Sequence, residues 1–163
     1  MRSSRKRGFT TLETMTVVVM FGTMAAIAGP KLYANYTATM SRTDADRLAR
    51  AAELARATAV RFGRDAELRI DAADKKFWVQ VDTTTNLTGV KDTVGIVNSL
   101  GDTKVSMAMT LGGTSASTAV VCFDVRGIRS TRTPCQSGEA MVDFTMSTYA
   151  NRVQITTLGK VIR

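Results

Sequence analysis

The chain has 163 residues, enough for one modest domain and an anchor but not for two full domains. Its 44% hydrophobic and 22% charged content argues against wholesale disorder. Histidine is absent, which excludes His-based triads, His-ligated metals and a His general base. The formal charge of +8 comes from 22 basic against 14 acidic residues, and four of the basic ones (Arg2, Arg5, Lys6, Arg7) lie within the first eight positions. Without that segment the balance is 18 to 14, or +4, so the pI of the whole chain overstates affinity for polyanions.

The first eight residues are a basic run ending in Gly8, and Phe9 to Ala28 is a 20-residue apolar stretch. As a helix that stretch spans about 30 Å, the thickness of a bilayer's hydrocarbon core. The basic cluster ahead of it predicts a cytoplasmic N-terminus and an exported C-terminal part.

Glu13 is out of place in such a helix, because a carboxylate at the bilayer centre costs roughly 3 kcal/mol on insertion scales. No Lys or Arg follows it before Lys31. Two readings stand at this point: Glu13 lies shallow among the headgroups, or it has a partner supplied from elsewhere. A secretory signal would place a small-residue cleavage site after the apolar stretch, yet Gly29-Pro30 follows and the small residue Gly8 precedes it. Cleavage between Gly8 and Phe9 would create an amine four residues from Glu13 and keep the anchor on the mature chain. A twin-arginine signal wants adjacent arginines, which Lys6 interrupts. An uncleaved anchor explains the apolar stretch but not Glu13.

From Pro30 to Phe62 the helical period continues. Leu48, Ala52, Ala55, Ala59 and Phe62 make one stripe, with Arg47, Arg50, Glu53, Arg61 and Arg64 largely elsewhere. Gly63 is the expected stop. Pro30 removes a hydrogen bond to the Ala26 carbonyl, so a bend or a loosened turn is expected there.

Beyond Gly63 the period changes to two. Strands are expected around Leu68–Ile70, Phe77–Val81, Val105–Leu111, Val121–Val125, Met141–Phe144 and Arg152–Ile155, with a hairpin turn at Ala73-Asp74-Lys75. One helix followed by about six strands predicts an α+β fold with an antiparallel sheet. The expected organisation is a removed leader over 1–8, a transmembrane helix over 9–29, an amphipathic helix over 30–62 and a β-rich globular domain over 63–163.

Arg5-Lys6-Arg7-Gly8-Phe9-Thr10-Thr11-Leu12-Glu13 resembles the class III signal of type IV prepilins and type II secretion pseudopilins. The shared pattern is a basic leader, Gly, Phe, two variable positions, Leu and Glu. The resemblance implies that a prepilin peptidase cuts between Gly8 and Phe9 and methylates the Phe9 amine. It also implies that Leu12, Glu13 and Pro30 serve assembly, Glu13 pairing with the N-terminus of an adjacent subunit. Phe123-Asp124-Val125-Arg126-Gly127 and the closing Leu158-Gly159-Lys160-Val161 are similar to H-type pseudopilins and T-type minor pilins. The implied protein is a single-pass subunit of a bacterial inner membrane, its C-terminal domain in the periplasm. It would partner other pilin or pseudopilin subunits, the peptidase and membrane lipid in a type II secretion pseudopilus or a type IV pilus.

No P-loop, HExxH or nucleophile elbow is present, so neither catalysis nor a cofactor or metal is expected. Cys122 and Cys135 fit neither a CxxC pair nor a four-ligand zinc site. Outside the cytoplasm they would form a disulfide that restricts the unfolded chain by about 3 kcal/mol; elsewhere they would be thiols. Arg126, Arg129, Arg132, Lys160 and Arg163 are the candidate nucleic-acid contacts, as in minor pilins that take up DNA. Few aromatics stand among them, and Gly159-Lys160-Val161-Ile162-Arg163 departs from the closing Gly-Arg-x-Arg of those proteins, so a solvated loop is the favoured reading. Trp78, Met107 and Met109 are read as core or contact residues.

Overall fold

Helix α1 runs over Thr11–Phe62 without interruption, and ten β-strands follow it among the described residues. The computed structural model describes residues 10–82, 90–102, 104–131 and 134–163. The leader, Gly8, Phe9 and Arg132 lie outside the described residues. The chain divides into two compact units, one ending at Tyr36 and the other spanning Thr37–Arg163.

The second unit holds two five-stranded antiparallel sheets. Its strands are β1 (Ala66–Asp71), β2 (Lys76–Val81), β3 (Asp92–Ser99), β4 (Ser106–Leu111), β5 (Thr114–Ser115), β6 (Thr118–Phe123), β7 (Arg129–Ser130), β8 (Ala140–Met146), β9 (Tyr149–Ile155) and β10 (Val161–Ile162). One sheet runs in the order β3-β2-β1-β6-β7, the other β10-β9-β8-β4-β5. The single sheet expected from the period-two pattern is thus two sheets, joined through one core. Leu68, Ile70, Phe77, Val79, Val121 and Phe123 of the first sheet share it with Met109, Val142, Phe144, Val153 and Ile155 of the second. Leu48, Ala49, Ala52, Ala55 and Ala59 of α1 complete it. Alanine at these helix positions lets the backbone lie close to the sheets, while Phe and Leu from the strands fill the space between.

The helical stripe holds at Leu48, Ala52, Ala55 and Ala59, all fully buried. Phe62 departs from it: the ring is exposed at the last turn, with the Arg61 guanidinium 5.7 Å from its centroid. Nearer Thr37 the buried face of the helix turns polar, with Thr37, Ser41 and Asp44. The Ser41 hydroxyl accepts a 2.7 Å hydrogen bond from Asn151 Nδ2 on β9.

The β1–β2 turn is set by Asp71. Its carboxylate accepts the amides of Ala73 and Asp74 at 3.0 Å each, and Lys75 takes φ 54°. Asp side chains hold turns in this way because they replace the missing backbone acceptor. A second close turn brings Gly112 and Gly138 together. A Cβ at Gly138 would stand 2.8 Å from the Gly112 Cα, so that position admits only glycine.

β3 is the strand that the alternation does not reveal. Opposite β2 its register slips: Phe77 faces Asn98 and Val79 faces Val94, so Gly95, Ile96 and Val97 stand against Trp78 alone. Gly95 makes this bulge with φ 81°.

Candidate functional site

The residues singled out by the N-terminal pattern begin the first unit. Thr10 and Glu13 form a capping box: the Glu13 amide donates to Thr10 Oγ1 at 3.3 Å, and the Thr10 amide donates to Glu13 Oε2 at 3.4 Å. A Thr-x-x-Glu pair at a helix start satisfies two amides that would otherwise lack acceptors. The carboxylate also complements the positive end of the helix dipole. Reasoning from charge alone missed this local role, although Thr10-Thr11-Leu12-Glu13 carries the signature.

From Leu12 to Leu32 the helix is apolar and outward-facing on every side. Leu12, Val18, Phe21, Ile27 and Leu32 are each about 70% exposed, and none of the segment's 18-residue apolar window is buried within the chain. The helix is long and apolar enough to cross a membrane. Its threonines are internally satisfied: Thr14, Thr16 and Thr23 donate at 2.9 Å to the carbonyls of Thr11, Leu12 and Met20. Helical structure continues across Pro30, whose ring leaves the Ala26 carbonyl without its amide partner.

In the second unit Cys122 and Cys135 are joined as a disulfide, with Cα atoms 5.6 Å apart. The link ties β6 to the segment before β8. Glu67 lies with both sulfurs inside a 4.8 Å cluster. Sulfurs bonded to each other offer no thiolate, and Glu67 is itself paired with Arg69 and Lys91, so the donor set does not suit a metal.

Arg126 and Arg129 do not share an exposed face, and Arg132 lies outside the described residues. Arg126 is exposed but paired with Asp124 at 3.1 Å. The Asp124 carboxylate also accepts the Ile128 and Arg126 amides, which, the Ile128 amide most of all, hold its pKa below the usual range. Arg129 is buried on β7, where its guanidinium donates to the carbonyls of Gln136 and Ile155, and burial lowers its pKa. A group enclosed in this way cannot reach a phosphate backbone, so Arg129 leaves the candidate set. Lys160 is exposed in the turn before β10. Arg163 is spent on Asp46 of α1 at 2.9 Å, and Arg152 on Asp143 at 2.7 Å. Carboxylates thus pair locally with Arg126, Arg152 and Arg163.

Besides Arg129, two buried carboxylates were not anticipated: Glu67, paired with Arg69 and Lys91, and Asp44. Asp44 is 2% exposed in its side chain and pairs through Oδ1 with Arg47 at 3.2 Å, while Oδ2 has no partner among the described residues. Burial raises its pKa, and the Gly101 amide and Arg47 oppose that shift.

The fold has a counterpart of known structure. The type IV minor pilin FimU of Pseudomonas aeruginosa superposes with a TM-score of 0.50 over 74% of this chain and 85% of that one. The chain has a pilin-like fold. Identity across the match is 12%, so the likeness is one of architecture. No protein-family model matches the sequence, and neither does any curated protein.

Proposed function

We propose that this chain is a pilin-like structural subunit, anchored in the bacterial inner membrane by its first helix and assembled through it into a filament. One observation carries the reading: a helix of the pilin-like fold presents more than twenty residues of apolar surface that nothing among the described residues covers. In water such a surface is unfavourable at roughly 25 cal/mol per Å2, so it belongs in lipid or against other helices.

The leader would be cut between Gly8 and Phe9 and the new amine methylated. The capping box supports this, because the Glu13 carboxylate already turns back to the Thr10 amide, one residue from the amine that cleavage creates. The same carboxylate could then meet the amine of a neighbouring subunit, offsetting a charge that lipid disfavours. Leu12 and Pro30 would serve the helix contact. The domain beyond Tyr36 would lie in the periplasm, where an oxidising milieu suits the Cys122–Cys135 link. The assembly would be a type II secretion pseudopilus or a type IV pilus, and the local pairing of the arginines favours a structural role over DNA uptake.

Two variants separate the roles of Glu13. Glu13→Gln keeps the capping box but removes the charge, whereas Glu13→Ala removes both. Both should lower incorporation into sheared filaments at least tenfold, with the chain still inserted in the membrane. Wild-type incorporation of Glu13→Gln, or a cell-extracted chain whose mass retains residues 1–8, would overturn the proposal.

A further inference from the structure

Four sheet edges are present among the described strands, and three of them end in two-residue strands: β5, β7 and β10. The fourth is β3, eight residues long, with Asp92 as its sole charged residue and no proline. Proteins protect exposed edges by keeping them short, charged or covered. Among the described residues β3 has only its bulge, which pushes Ile96 and Val97 outward, 75% and 53% exposed.

Beside β3 lies a cleft of about 350 Å3 between the strand and α1, with Ala51, Leu54, Val79, Val94 and Ile96 along its walls. Arg47 and Arg50 stand at its helical rim, and no carboxylate lines it. Arg47 is matched by Asp44, but Arg50 makes no ion pair among the described residues.

We propose that β3 and this cleft form a docking site for an extended segment of a different chain. That segment adds as a strand to the β3 edge, seats an apolar side chain in the cleft and places a carboxylate against Arg50. Strand addition supplies affinity through main-chain hydrogen bonds, and the cleft and rim supply selectivity. Charge decides the occupant. A second copy of this chain paired edge to edge about a two-fold axis would bring two clefts together and set the two unmatched Arg50 guanidinium groups on one face. Like charges so placed repel, whereas an acidic strand complements them. The inference does not depend on helix-mediated assembly.

The test uses the full chain in detergent micelles and two ten-residue peptides, one alternating valine with glutamate and the other valine with lysine. The glutamate peptide should bind about tenfold more tightly at low salt and slow amide exchange within Thr93–Ser99. Arg50→Glu should remove that preference, and Ile96→Asp, at a site with no core contact, should weaken the glutamate peptide by a similar factor. The proposal is overturned if neither peptide binds, if both bind equally, if Arg50→Glu changes nothing, or if protection falls outside β3.

Discussion

The two halves of α1 are made from similar residues and behave oppositely. From Thr37 to Phe62 the small side chains Ala45, Ala49, Ala52, Ala55 and Ala59 disappear into a core shared with two sheets. From Thr11 to Tyr36 the larger ones, Leu12, Val18, Phe21 and Ile27, are left exposed among the described residues. Yet Leu48 is buried in one half while Ala25, Ala26 and Ala28 are exposed in the other, so side-chain size does not decide burial here. What decides it is the presence of a complementary surface in the same chain, which the sheets provide for one half and nothing among the described residues provides for the other. The first half must find its packing partner in another medium or another molecule.

The sharpest way to break this comparison is to remove matched bulk from each half. Phe144→Ala should destabilise the domain by about 3–5 kcal/mol in thermal unfolding, because the ring is fully buried between helix and sheets. Phe21→Ala should leave that transition within about 0.5 kcal/mol of wild type. An equal loss from both would mean that the first half also packs on the domain. Next in size is the cystine. Replacing Cys122 and Cys135 together by Ala should cost about 3 kcal/mol in urea unfolding, and reductant should have no further effect on that variant. Asn151→Ala should cost about 1 kcal/mol by removing the donor to the buried Ser41 oxygen, whose hydroxyl still donates to the Ala38 carbonyl, at the point where the packed half begins.

The smallest effect concerns Asp44, and its sign follows from its raised pKa. A carboxyl whose folded pKa lies above its unfolded value contributes stability below the unfolded value and loses it as pH rises through the folded one. At pH 7 the buried charge is therefore a net cost that Asp44→Asn relieves. The variant should melt slightly above wild type at pH 7, and its advantage should shrink as the pH falls toward 4. A gain independent of pH would mean that the charge is not the cause.

The sequence made the helix, its stop at Gly63 and the strands around Leu68, Phe77, Met107, Val121, Val142 and Val153 legible, because each repeats its period over several residues. β3 was not legible: Thr93-Val94-Gly95-Ile96-Val97-Asn98 has apolar neighbours in place of alternation, since a bulge sets its side chains on irregular sides. The two-residue strands β5, β7 and β10 are too short to carry a period at all. At the N-terminus the charge of Glu13 was legible and its capping partner was overlooked, as a search for cations ignores backbone amides. The solvated-loop reading of the arginines fails at Arg129, which is buried. Every third residue in a loop implies no common face, and Arg129 belongs to a strand whose side chain turns inward.

The threonines of the outward-facing half have a consequence for transfer between environments. Because Thr14, Thr16 and Thr23 each satisfy their hydroxyls on a carbonyl of the preceding turn, none relies on water or a neighbouring molecule. A helix with self-contained polar groups can leave one apolar surrounding for another without breaking a side-chain hydrogen bond on the way. The barrier to such a move is then set by side-chain fit and by the terminal charges.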